Sequence, residues 1–455
     1  MKLKIGNLKS KIETDNQELL KVLYDRYSYK VPGSEYSARY KKHHWDGKKH
    51  FISSSGFFRT GLLSKIINDL RLIDCEPELE YIDPIQKITP NGFDIAKFKY
   101  YSFQDEFIRK AISGMRGIIK SPTGSGKTLI MAGLVKALHG RKMVILFNAK
   151  QLLKQTYEFL QDCGISDLGV CFGEGFIEGD IMLSTVQSVD RIVDSHIKHA
   201  EVLMVDEAHE FANGKRNLSV IESFPNAQYR IGFTATPPSD DIPKMQLEGA
   251  LGPVWSLVET ADLVDEGKLT KPVIQLINRA YNASGLDETM SYGEVYDNYI
   301  VYNDLRNKVI REIVDDIKNK NKRARILILT KSLDHGRTLE NLLGEHCEFL
   351  EGDNSIGERY KAISRFRRRR GSSILIGTKI LQTGINIEEI THFINARGMK
   401  SEIATLQALG RALRRSDQKD KVYVYDFIDK EKYLHKHSME RKKHYEKEGH
   451  EVVVL

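Results

Sequence analysis

A glycine-rich run of eight residues combines the residue types that bind phosphate groups. It reads Ser121-Pro122-Thr123-Gly124-Ser125-Gly126-Lys127-Thr128 and stands between an apolar run at 117–120 and a helical pattern at 129–138. Glycines let backbone N–H groups turn toward phosphate oxygens, and the N-terminus of the following helix adds a positive dipole end. The pattern predicts a loop that binds ATP, in which Lys127 contacts the β- and γ-phosphates and the Thr128 hydroxyl ligates Mg²⁺. The strict pattern has glycine where this chain has Ser121.

A pair of acidic residues forms the second half of the predicted site. Asp206 and Glu207 follow the apolar run 202–205 and precede Ala208 and His209. At a strand end, Asp206 would hold Mg²⁺ through its water shell, and Glu207 would polarise the attacking water as a general base. Acidic residues after a strand also open loops or cap helices, but the phosphate loop upstream favours the catalytic interpretation. We expect His209 to relay the nucleotide state to another domain, with a structural role as the alternative.

Three polar residues in the C-terminal part share a helical spacing. Gln407, Arg411 and Arg414 are separated by four and three residues, so a helix would place them on one face. Two guanidinium groups presented together suit a γ-phosphate during its transfer, and such arginine fingers contribute ~10³–10⁵ in rate. A solvated basic face is the alternative. Gly410 disfavours it, because glycine inside a helix costs ~1 kcal/mol and indicates close packing. We therefore predict that both arginines act in catalysis.

The composition fits a water-soluble protein with several domains. Of 455 residues, 41% are hydrophobic, and domains of ~100–200 residues would make about three of them. The net charge of +7 permits a polyanionic partner without demonstrating one. The cysteines lack the spacing of a zinc site, so we expect Cys163 and Cys171 to be buried thiols. The absence of a signal-like start and of ~18 successive apolar residues excludes a membrane-spanning helix and indicates a cytosolic protein.

The order of apolar runs indicates an α/β fold. Short runs alternate with helical periods at 117–120, 143–147, 180–183, 202–205 and 231–234, and again at 325–329, 373–377, 392–394 and 422–425. Such runs are typical of buried parallel strands, so we expect two α/β units in series. The flanks differ from this pattern. Residues 1–95 are basic and aromatic, with a predicted hairpin turn at Trp45-Asp46-Gly47 between two strands, and residues 430–455 are predicted to form a charged helical tail.

The motifs resemble those of superfamily 2 helicases. The phosphate loop, DEAH at 206–209, TAT at 234–236 and QALGRALR at 407–414 follow the order of motifs I, II, III and VI. The resemblance implies RecA-like domains at 96–265 and 266–429, with ATP and Mg²⁺ held between them so that hydrolysis moves the domains along a strand. It adds Gln104, Gly384 and Gln407 to the ATP site. It places seven residues near the nucleic acid: Lys150, Gln155, Thr185, Gln187, Lys331, Thr378 and Gln382.

Two motifs depart from the family pattern. Motif V commonly has aspartate where this chain has Asn386, and motif Ia has Asn148-Ala149 in place of the usual Pro-Thr. Two further basic runs, at 364–370 and 441–444, are interpreted as solvated helix ends, where arginine and lysine suit the helix dipole.

A basic run with one tryptophan marks the N-terminal domain. Residues 41–50 read KKHHWDGKKH, and either Lys48 and Lys49 contact DNA phosphates or the run is a solvated turn with Trp45 in the core. Residues 40–47, followed by residues 58–63, are similar to the UvsW family of bacteriophage helicases, which favours DNA contact and a phage protein in the host cytoplasm. The resemblance implies action on single-stranded and branched DNA in Holliday-junction branch migration, fork regression, R-loop unwinding and recombination-dependent repair, together with recombination or replication proteins. Separately, we expect a monomer.

Three other functions are alternatives. The chain could be an ATP-driven duplex translocase subunit of a nuclease complex, since no nuclease cluster is evident in it. It could be an RNA helicase, since the DEAH sequence also occurs in that class. An ATP-gated clamp is the third, although a clamp need not keep Lys127, Glu207 and Arg414 together.

Overall fold

The computed structural model describes residues 1–83, 89–192, 194–212, 215–279, 289–351, 354, 356–378, 387–399 and 421–455. The chain divides into two units. The first is Met1–Ser121 with Gly126–Leu257, and the second is Val258–Leu455 with the loop Pro122–Ser125. Within the described ranges, every helix is too short or too polar to cross a membrane.

A small α+β domain begins the first unit. Its strands and helices are β1 (Lys2–Ile5), β2 (Lys9–Glu13), α1 (Gln17–Arg26), β3 (Ser28–Lys30), α2 (Ala38–Lys41), β4 (Lys48–His50), β5 (Phe57–Arg59), α3 (Leu63–Arg71) and β6 (Glu78–Tyr81). In this described part, four strands form a sheet in the order β5-β2-β1-β6, and β3 pairs antiparallel with β4. Alternate residues of β1, Leu3 and Ile5, face a core that also holds Ile66 and Leu70 of α3.

The turn at Trp45-Asp46-Gly47 differs from the predicted hairpin between two strands. The residues that precede it form the helix α2, and β4 pairs with β3 across the connection 31–47. The Asp46 carboxylate accepts a hydrogen bond from Lys48 N at 3.0 Å, and Gly47 has a φ of +78°. An aspartate that bonds the backbone two residues later stabilises a turn whatever structure comes before it. The prediction of a turn is therefore confirmed, and the prediction of a strand before it is wrong.

A parallel sheet covered on both faces forms the rest of the first unit. Its elements are α4 (Ser102–Gly114), β7 (Arg116–Lys120), α5 (Lys127–Ala137), β8 (Met143–Phe147), α6 (Lys150–Asp162), β9 (Leu168–Phe172), β10 (Gly175–Ile177), β11 (Ile181–Thr185), α7 (Asp194–His199), β12 (Val202–Val205), α8 (Lys215–Glu222), β13 (Tyr229–Thr234), α9 (Asp241–Leu251) and β14 (Val254–Ser256). Over these described residues the order is β10-β9-β11-β8-β12-β13-β7-β14, with β10 antiparallel to its neighbour. The carboxyl ends of the parallel strands share one edge, where ligands bind in such sheets. Cys163 and Cys171 are buried, as predicted.

The N-terminal domain packs directly on this sheet domain through α9. A Cβ at Gly61 would collide with the backbone oxygens of Glu248 and Gly249, so glycine is needed for this close approach. Arg59 and Glu222 form an ion pair at 2.5 Å, and Met245 of α9 belongs to the N-terminal core. Because apolar and ionic contacts join the two domains, we expect them to move as one body.

A second parallel sheet organises the second unit. Its elements are α10 (Thr260–Asp265), β15 (Lys271–Ile277), α11 (Tyr292–Tyr296), α12 (Asp304–Lys320), β16 (Arg325–Leu329), α13 (Leu333–Leu343), β17 (Cys347–Leu350), α14 (Ile356–Arg368), β18 (Ser373–Gly377), β19 (His392–Asn395), β20 (Lys421–Phe427), α15 (Lys432–Lys447) and β21 (Val452–Val454). Across the described strands the order is β17-β18-β16-β19-β20-β15-β21, and all neighbours are parallel. The adjacent residues Phe393 and Ile394 point into different apolar clusters, so both faces of the sheet are covered.

The C-terminal residues belong to this sheet and its covering layer. After α15, the chain returns as β21 and pairs with β15 at the edge of the sheet. The interpretation of residues 441–444 as a solvated helix end is wrong at its first residue, because Arg441 is 1% exposed. Its charge is matched inside the unit by Asp426. The other basic run is confirmed as a solvated helix end, since α14 ends at Arg368 and Arg367 to Arg370 are exposed.

Three buried histidines should make the second unit sensitive to acid. Burial lowers the pKa of His335 to about 3 and the pKa of His392 and His450 to about 4. The unfolded chain, with pKa values near ~6.5, takes up protons that the folded chain does not, so stability falls as the pH drops from ~6.5 toward 4. Each histidine contributes up to ~1.4 kcal/mol per pH unit in that window. We expect the unfolding temperature to fall between pH 7 and pH 5.

A substitution at the most buried of the three separates this effect from general acid denaturation. His335→Gln can keep the contact of the ring Nε2 with Asn307 Oδ1, which is 3.0 Å long, but cannot take up a proton. The unfolding temperature of this variant should therefore depend less steeply on pH, measured by calorimetry at several pH values. His435→Gln, at an exposed position of α15, is the matched control and should leave the slope unchanged. Equal slopes in all three proteins would show that His335 does not contribute.

Candidate ATP site and nucleic-acid surface

The phosphate loop joins β7 to α5 with a backbone that its glycines make possible. Ser121 N donates to Thr234 O at 3.0 Å, which fixes the start of the loop beside β13. Gly124 and Gly126 have φ values of +88° and +84°, where a side chain would cause strain. Since α5 begins at Lys127, its first N–H groups point back toward the loop. A turn of this kind before a helix N-terminus is an anion-binding site.

Gln104 and Tyr101, which precede the phosphate loop in the sequence, contribute an amide and an aromatic ring to this region. Gln104 is 2% exposed, and its Oε1 accepts a hydrogen bond from Tyr101 N at 2.9 Å. Its Nε2 lies so close to Gly126 that a Cβ there would collide with it. The Tyr101 ring is 47% exposed and stacks on Phe103. The arrangement gives the loop a hydrogen-bonding amide and an exposed aromatic face, which suit a nucleotide base.

Asp206 has a raised pKa at the carboxyl end of β12. Burial and the neighbouring Glu207 carboxylate raise the pKa of Asp206 to about 7, and Lys127 opposes the shift in part. Asp206 N donates to Leu146 O at 2.9 Å, which holds the residue between two central strands. A carboxyl group with this pKa at the ligand-binding edge of a sheet is characteristic of a functional site.

Glu207 is held in a strained conformation next to Asp206. Its φ is +45°, in the left-handed region that a non-glycine residue occupies at a cost of ~1–3 kcal/mol. Its Oε2 is buried and, among the described residues, accepts no hydrogen bond; His209 Nδ1 is 3.5 Å away. Strain and an unsatisfied carboxylate oxygen both cluster in active sites, where a reacting group provides the missing partner.

His209 connects the acidic pair to the end of β13. Its Nδ1 lies 2.8 Å from Thr234 Oγ1, which accepts a hydrogen bond from Thr236 N at 3.1 Å. Burial lowers the pKa of His209 although Glu207 opposes this shift, so the ring is neutral near pH 7. The sequence analysis identifies the TAT motif but gives Thr234 no role. The contact between His209 and Thr234 has no sequence signal, because the spacing of residues 209 and 234 does not reveal that β12 and β13 are neighbours.

The acidic pair fits a magnesium ion. The carboxyl group of Asp206 has a raised pKa, and the neighbouring carboxylate of Glu207 has a buried oxygen without a hydrogen-bond donor among the described residues. Lys127 offsets the negative charge of this pair only in part. Oxygen ligands of this type suit Mg²⁺, which is usually held by one or two carboxylates and by substrate phosphates. Asp206 would hold the ion, and the Thr128 hydroxyl on the first turn of α5 is the second candidate ligand.

The predicted nucleic-acid contacts of the first unit lie at the carboxyl edge of its sheet. Lys150 begins α6, and its Nζ lies against Gly173, where a Cβ would be 2.9 Å away. Gln155 is half-buried on the same helix, and Gln187 is exposed just after β11. Thr185 is 2% exposed, and its hydroxyl donates to Ser188 Oγ at 3.1 Å. The structure therefore brings these residues to one edge, with the Thr185 side chain turned inward.

Two predicted contacts lie in the second unit. Lys331 is exposed after β16, and its Nζ lies 4.3 Å from the centroid of the Tyr296 ring and 5.2 Å from that of Tyr292. Thr378 follows the neighbouring strand β18 and is half-buried. Parallel strands that are neighbours end at the same edge, so the structure places both residues there.

The lysines of the N-terminal domain lie on an exposed surface, residues 28–50, which we call the N-terminal arm. Lys48 and Lys49 are exposed, and Tyr36 is 78% exposed. Trp45 is half-buried, and its Nε1 donates to Lys48 O at 2.8 Å. The tryptophan thus stabilises the turn that presents the two lysines. Basic side chains beside exposed aromatic rings suit contacts with nucleic acid.

The other predicted site residues lie outside the described part of the chain. They are Gln382, Gly384, Gln407, Arg411 and Arg414. The described residues nearest to them are Thr378 and Ile387 around the first pair, and Met399 and Lys421 around the other three. Their assigned roles stay predictions.

Comparisons with known proteins match both sheet domains. The family model described as type III restriction enzyme, res subunit, matches residues 97–239, and the helicase conserved C-terminal domain matches residues 296–416. The chain is 24% identical over 483 residues to the ATP-dependent DNA helicase uvsW of Enterobacteria phage T4, which covers 95% of this chain and 94% of the relative. It is 21% identical over 391 residues to the DNA 3'-5' translocase XPB2 of Sulfurisphaera tokodaii, which covers 77% and 86%.

The fold is also found in a solved structure. The S. cerevisiae protein Dbp5, bound to RNA and ADP BeF3, aligns with a TM-score of 0.57 at 17% identity and covers 79% of this chain and 90% of that chain. The predicted fold of two tandem RecA-like domains is confirmed. By its matches to the two family models and to UvsW, the chain is an ATP-hydrolysing superfamily 2 helicase that resembles UvsW.

Proposed function

We propose that this helicase remodels branched DNA by hydrolysing ATP at the site formed by Lys127, Asp206 and Glu207. The observation that carries the choice of substrate is the N-terminal arm, an exposed basic surface of the domain that packs on the first RecA-like domain through α9. The similarity to a phage DNA helicase over 95% of this chain supports DNA as the substrate. Branch migration, fork regression and R-loop unwinding are the reactions we assign to it.

The positions of the described side chains support the hydrolytic roles that we propose. Lys127 binds the β- and γ-phosphates, while Asp206 and Thr128 hold Mg²⁺, which neutralises phosphate charge when it is bound. Glu207 orients the attacking water and accepts its proton, since its Oε2 is buried and lacks a hydrogen-bond donor among the described residues. The resemblance assigns Arg411 and Arg414 to the charge that develops on the γ-phosphate. His209 passes the state of the site to Thr234.

The geometry of the first unit supports action on a branched duplex. The arm and the edge with Lys150 and Gln187 belong to the same unit, and in this proposal both contact one DNA molecule. Lys48 and Lys49 would contact phosphates of a duplex, which gives affinity without sequence preference. A motor that holds a duplex with one surface while it moves a strand with another pulls strands across a junction.

The decisive experiment compares the ATPase rate with four equimolar effectors: single-stranded DNA, linear duplex DNA, a four-way DNA junction and RNA. We expect the junction to stimulate turnover most, because it offers both a duplex and a separable strand. Strongest stimulation by linear duplex would indicate a translocase of a larger complex, and strongest stimulation by RNA would indicate an RNA helicase. Either result would overturn the branched-DNA proposal, and no stimulation by any effector would remove the motor function.

Removing the two lysines of the arm should weaken binding to the junction. In the double variant Lys48→Ala/Lys49→Ala, we expect the slope of log affinity against log salt to fall by ~2, since each lysine that contacts a phosphate contributes ~0.9. Fluorescence anisotropy with a labelled junction at several salt concentrations measures both the affinity and the slope.

The matched control removes two lysines that are already neutralised. Lys2 forms ion pairs with Glu78 and Glu80, and Lys4 with Glu13. Lys2→Ala/Lys4→Ala changes the net charge of the same domain by the same amount, and it should leave the slope close to that of the unmodified protein. If the two double variants lose affinity equally, net charge alone is responsible and the arm is not a DNA contact.

A further inference from the structure

One tyrosine of the N-terminal arm holds its ring in water. Tyr36 is 78% exposed, and within the described part of the chain its hydroxyl has no hydrogen-bond partner and its ring stacks on no other ring. The other tyrosines near it behave differently. Tyr29 packs edge-on against Phe51 with ring centroids 5.9 Å apart, and Tyr24 stacks on His50 at 4.5 Å. Since an aromatic ring contributes its large apolar area only when another surface covers it, Tyr36 is suited to bind a ligand.

The backbone on both sides of Tyr36 is fixed. Gly33 has a φ of +72° and starts a short 3₁₀ turn at Ser34–Tyr36, in which Tyr36 N donates to Gly33 O at 3.1 Å. The next residue, Ser37, caps α2 by accepting a hydrogen bond from Arg39 N at 3.3 Å. The ring therefore projects from a defined backbone, so binding through it orders few additional groups and costs little conformational entropy.

The segment that carries Tyr36 lies against the turn that presents the lysines of the arm. A Cβ at Gly47 would lie 2.9 Å from Ser34 Oγ and 3.0 Å from the Tyr40 ring, so residues on both sides of Tyr36 contact this glycine. Lys48 follows Gly47 directly and is exposed. The structure thus brings an exposed aromatic ring and exposed ammonium groups to one small surface.

The charge of this surface suits a polyanion. Residues 28–50 contain six lysines and arginines but only two acidic residues. Both acidic side chains are engaged within the arm: Glu35 pairs with Lys30 at 3.6 Å, and Asp46 accepts a hydrogen bond from Lys48 N at 3.0 Å and lies 3.1 Å from His50 Nε2. The potential around Tyr36 is therefore positive. A positive surface with an exposed aromatic ring fits a ligand that has both phosphates and uncovered bases.

We propose that Tyr36 recognises the branch point of DNA by stacking on the base pair that ends a duplex arm, while the neighbouring lysines contact phosphates. The inference rests on the proposed contact between the N-terminal arm and DNA. Inside a continuous duplex each base pair is covered by its neighbours, and a side chain that inserts there must first unstack them. A branch point offers an uncovered base-pair face without this cost.

Stacking also suits a contact that has to tolerate every sequence. All four bases have a π-face, so an aromatic side chain binds them with little preference. A branch point that migrates passes through whatever sequence the DNA contains, and a contact based on hydrogen bonds to particular base edges would fail at most positions. Tyr36 would therefore give selectivity for the branched shape, whereas phosphate contacts alone give affinity for any duplex.

The variant Tyr36→Ala in the full-length protein tests the proposal with two labelled DNAs. One is a four-way junction, and the other is a linear duplex closed at both ends by loops, so that it has no open end. Fluorescence anisotropy should show that junction affinity falls by ~5-fold to ~100-fold, since alanine substitution of a stacking residue has effects of this size. Affinity for the closed duplex should stay within ~2-fold. Tyr36→Phe keeps the ring and should bind both DNAs normally.

A junction that carries 2-aminopurine beside the branch point reports the contact directly, because stacking quenches the fluorescence of this base. The unmodified protein and Tyr36→Phe should quench it on binding, and Tyr36→Ala should not. Tyr81→Ala is the matched control, since Tyr81 lies on β6 of the same domain, outside the arm, and is 49% exposed. It should leave both affinities unchanged. Circular dichroism confirms that each variant is folded.

The outcomes separate this inference from the proposed function beneath it. A preference for the junction that persists undiminished in Tyr36→Ala overturns the role of Tyr36 and leaves branched DNA as the substrate. An equal loss of affinity for both DNAs in Tyr36→Ala, or an equal loss of junction affinity in Tyr81→Ala, also overturns branch-point recognition by Tyr36. If the unmodified protein binds the junction no more tightly than the closed duplex, the proposed function itself is contradicted, and this inference with it.

Discussion

Replacing Lys127 with alanine should abolish ATP turnover while binding to DNA without nucleotide persists. Lys127 opens α5, and its Nζ donates to Ser121 O at 3.2 Å, so the ammonium group lies over the start of the phosphate loop. Removing a donor aimed at the reacting charge costs ~10²–10³ in kcat, and Lys127 also contributes to ATP binding. Lys127 further lowers the pKa of Asp206, so its loss should raise that pKa and weaken magnesium binding near neutral pH. Steady-state ATPase assays measure the first effect.

A lysine on the same helix provides the control for this substitution. Lys136 lies in the last turn of α5 and donates to Asp94 O at 3.1 Å, far along the helix from the phosphate loop. Lys136→Ala removes one positive charge from the same element, and we expect its kcat to stay within ~2-fold of the unmodified enzyme, as for surface substitutions in general. Turnover that survives in Lys127→Ala would contradict the assignment of residues 121–128 as the ATP-binding loop.

The central strands were predictable because burial on both faces leaves little freedom in their composition. The apolar runs at 143–147, 202–205, 325–329 and 373–377 coincide with β8, β12, β16 and β18. A strand covered by helices on both sides needs apolar side chains at nearly every position, so its sequence is continuous. By contrast, β15 alternates buried and partly exposed residues and starts with Lys271-Pro272, and β21 lies at a sheet edge. Strands of this kind bury fewer side chains and therefore leave a weaker signal.

The phosphate loop and the acidic pair were predictable because each is contiguous in sequence. Their chemistry depends on neighbours along the chain, such as glycines before a helix N-terminus. The contact of His209 with Thr234 depends instead on the order of strands in the sheet, which residue spacing does not contain. The strained backbone of Glu207 likewise has no sequence signal, because the surrounding packing imposes it.

The burial of charged side chains could not be predicted from the sequence. Arg441 stands in a run of basic residues that looks like an exposed helix face, yet its partners are Asp426 and the backbone of Met399. Whether an arginine is solvated or buried depends on carboxylates and carbonyls that distant segments bring to it. Arg365 shows the opposite case, since it pairs with Glu348 and remains exposed on α14.

Changing Glu207 to glutamine should separate ATP binding from hydrolysis. Glutamine keeps the size of the side chain and its hydrogen-bonding oxygen but cannot accept a proton from water, and loss of a general base costs ~10²–10⁴ in rate. The Glu207 carboxylate is also one of the groups that raise the pKa of Asp206. Its removal should lower that pKa, so Asp206 would bind magnesium at least as well as before. We therefore expect Glu207→Gln to hold ATP as tightly as the unmodified protein or more tightly, while single-turnover hydrolysis falls by ~10²–10⁴.

The same isosteric change three residues later shows whether the effect belongs to the base or to the lost charge. Glu210 is exposed in the same short helical turn, where its Oε2 accepts a hydrogen bond from Asn148 Nδ2 at 3.0 Å. Glu210→Gln removes one negative charge near Asp206 but leaves Glu207 in place, so hydrolysis should stay within ~3-fold of normal. A general base requires the carboxylate at Glu207 itself, so it predicts slow hydrolysis in Glu207→Gln alone. If both variants slow hydrolysis equally, the loss of one negative charge is responsible instead. Normal hydrolysis in Glu207→Gln would transfer the role of base to another group, whereas slow hydrolysis with weakened ATP binding would mean that Glu207 mainly supports the magnesium position.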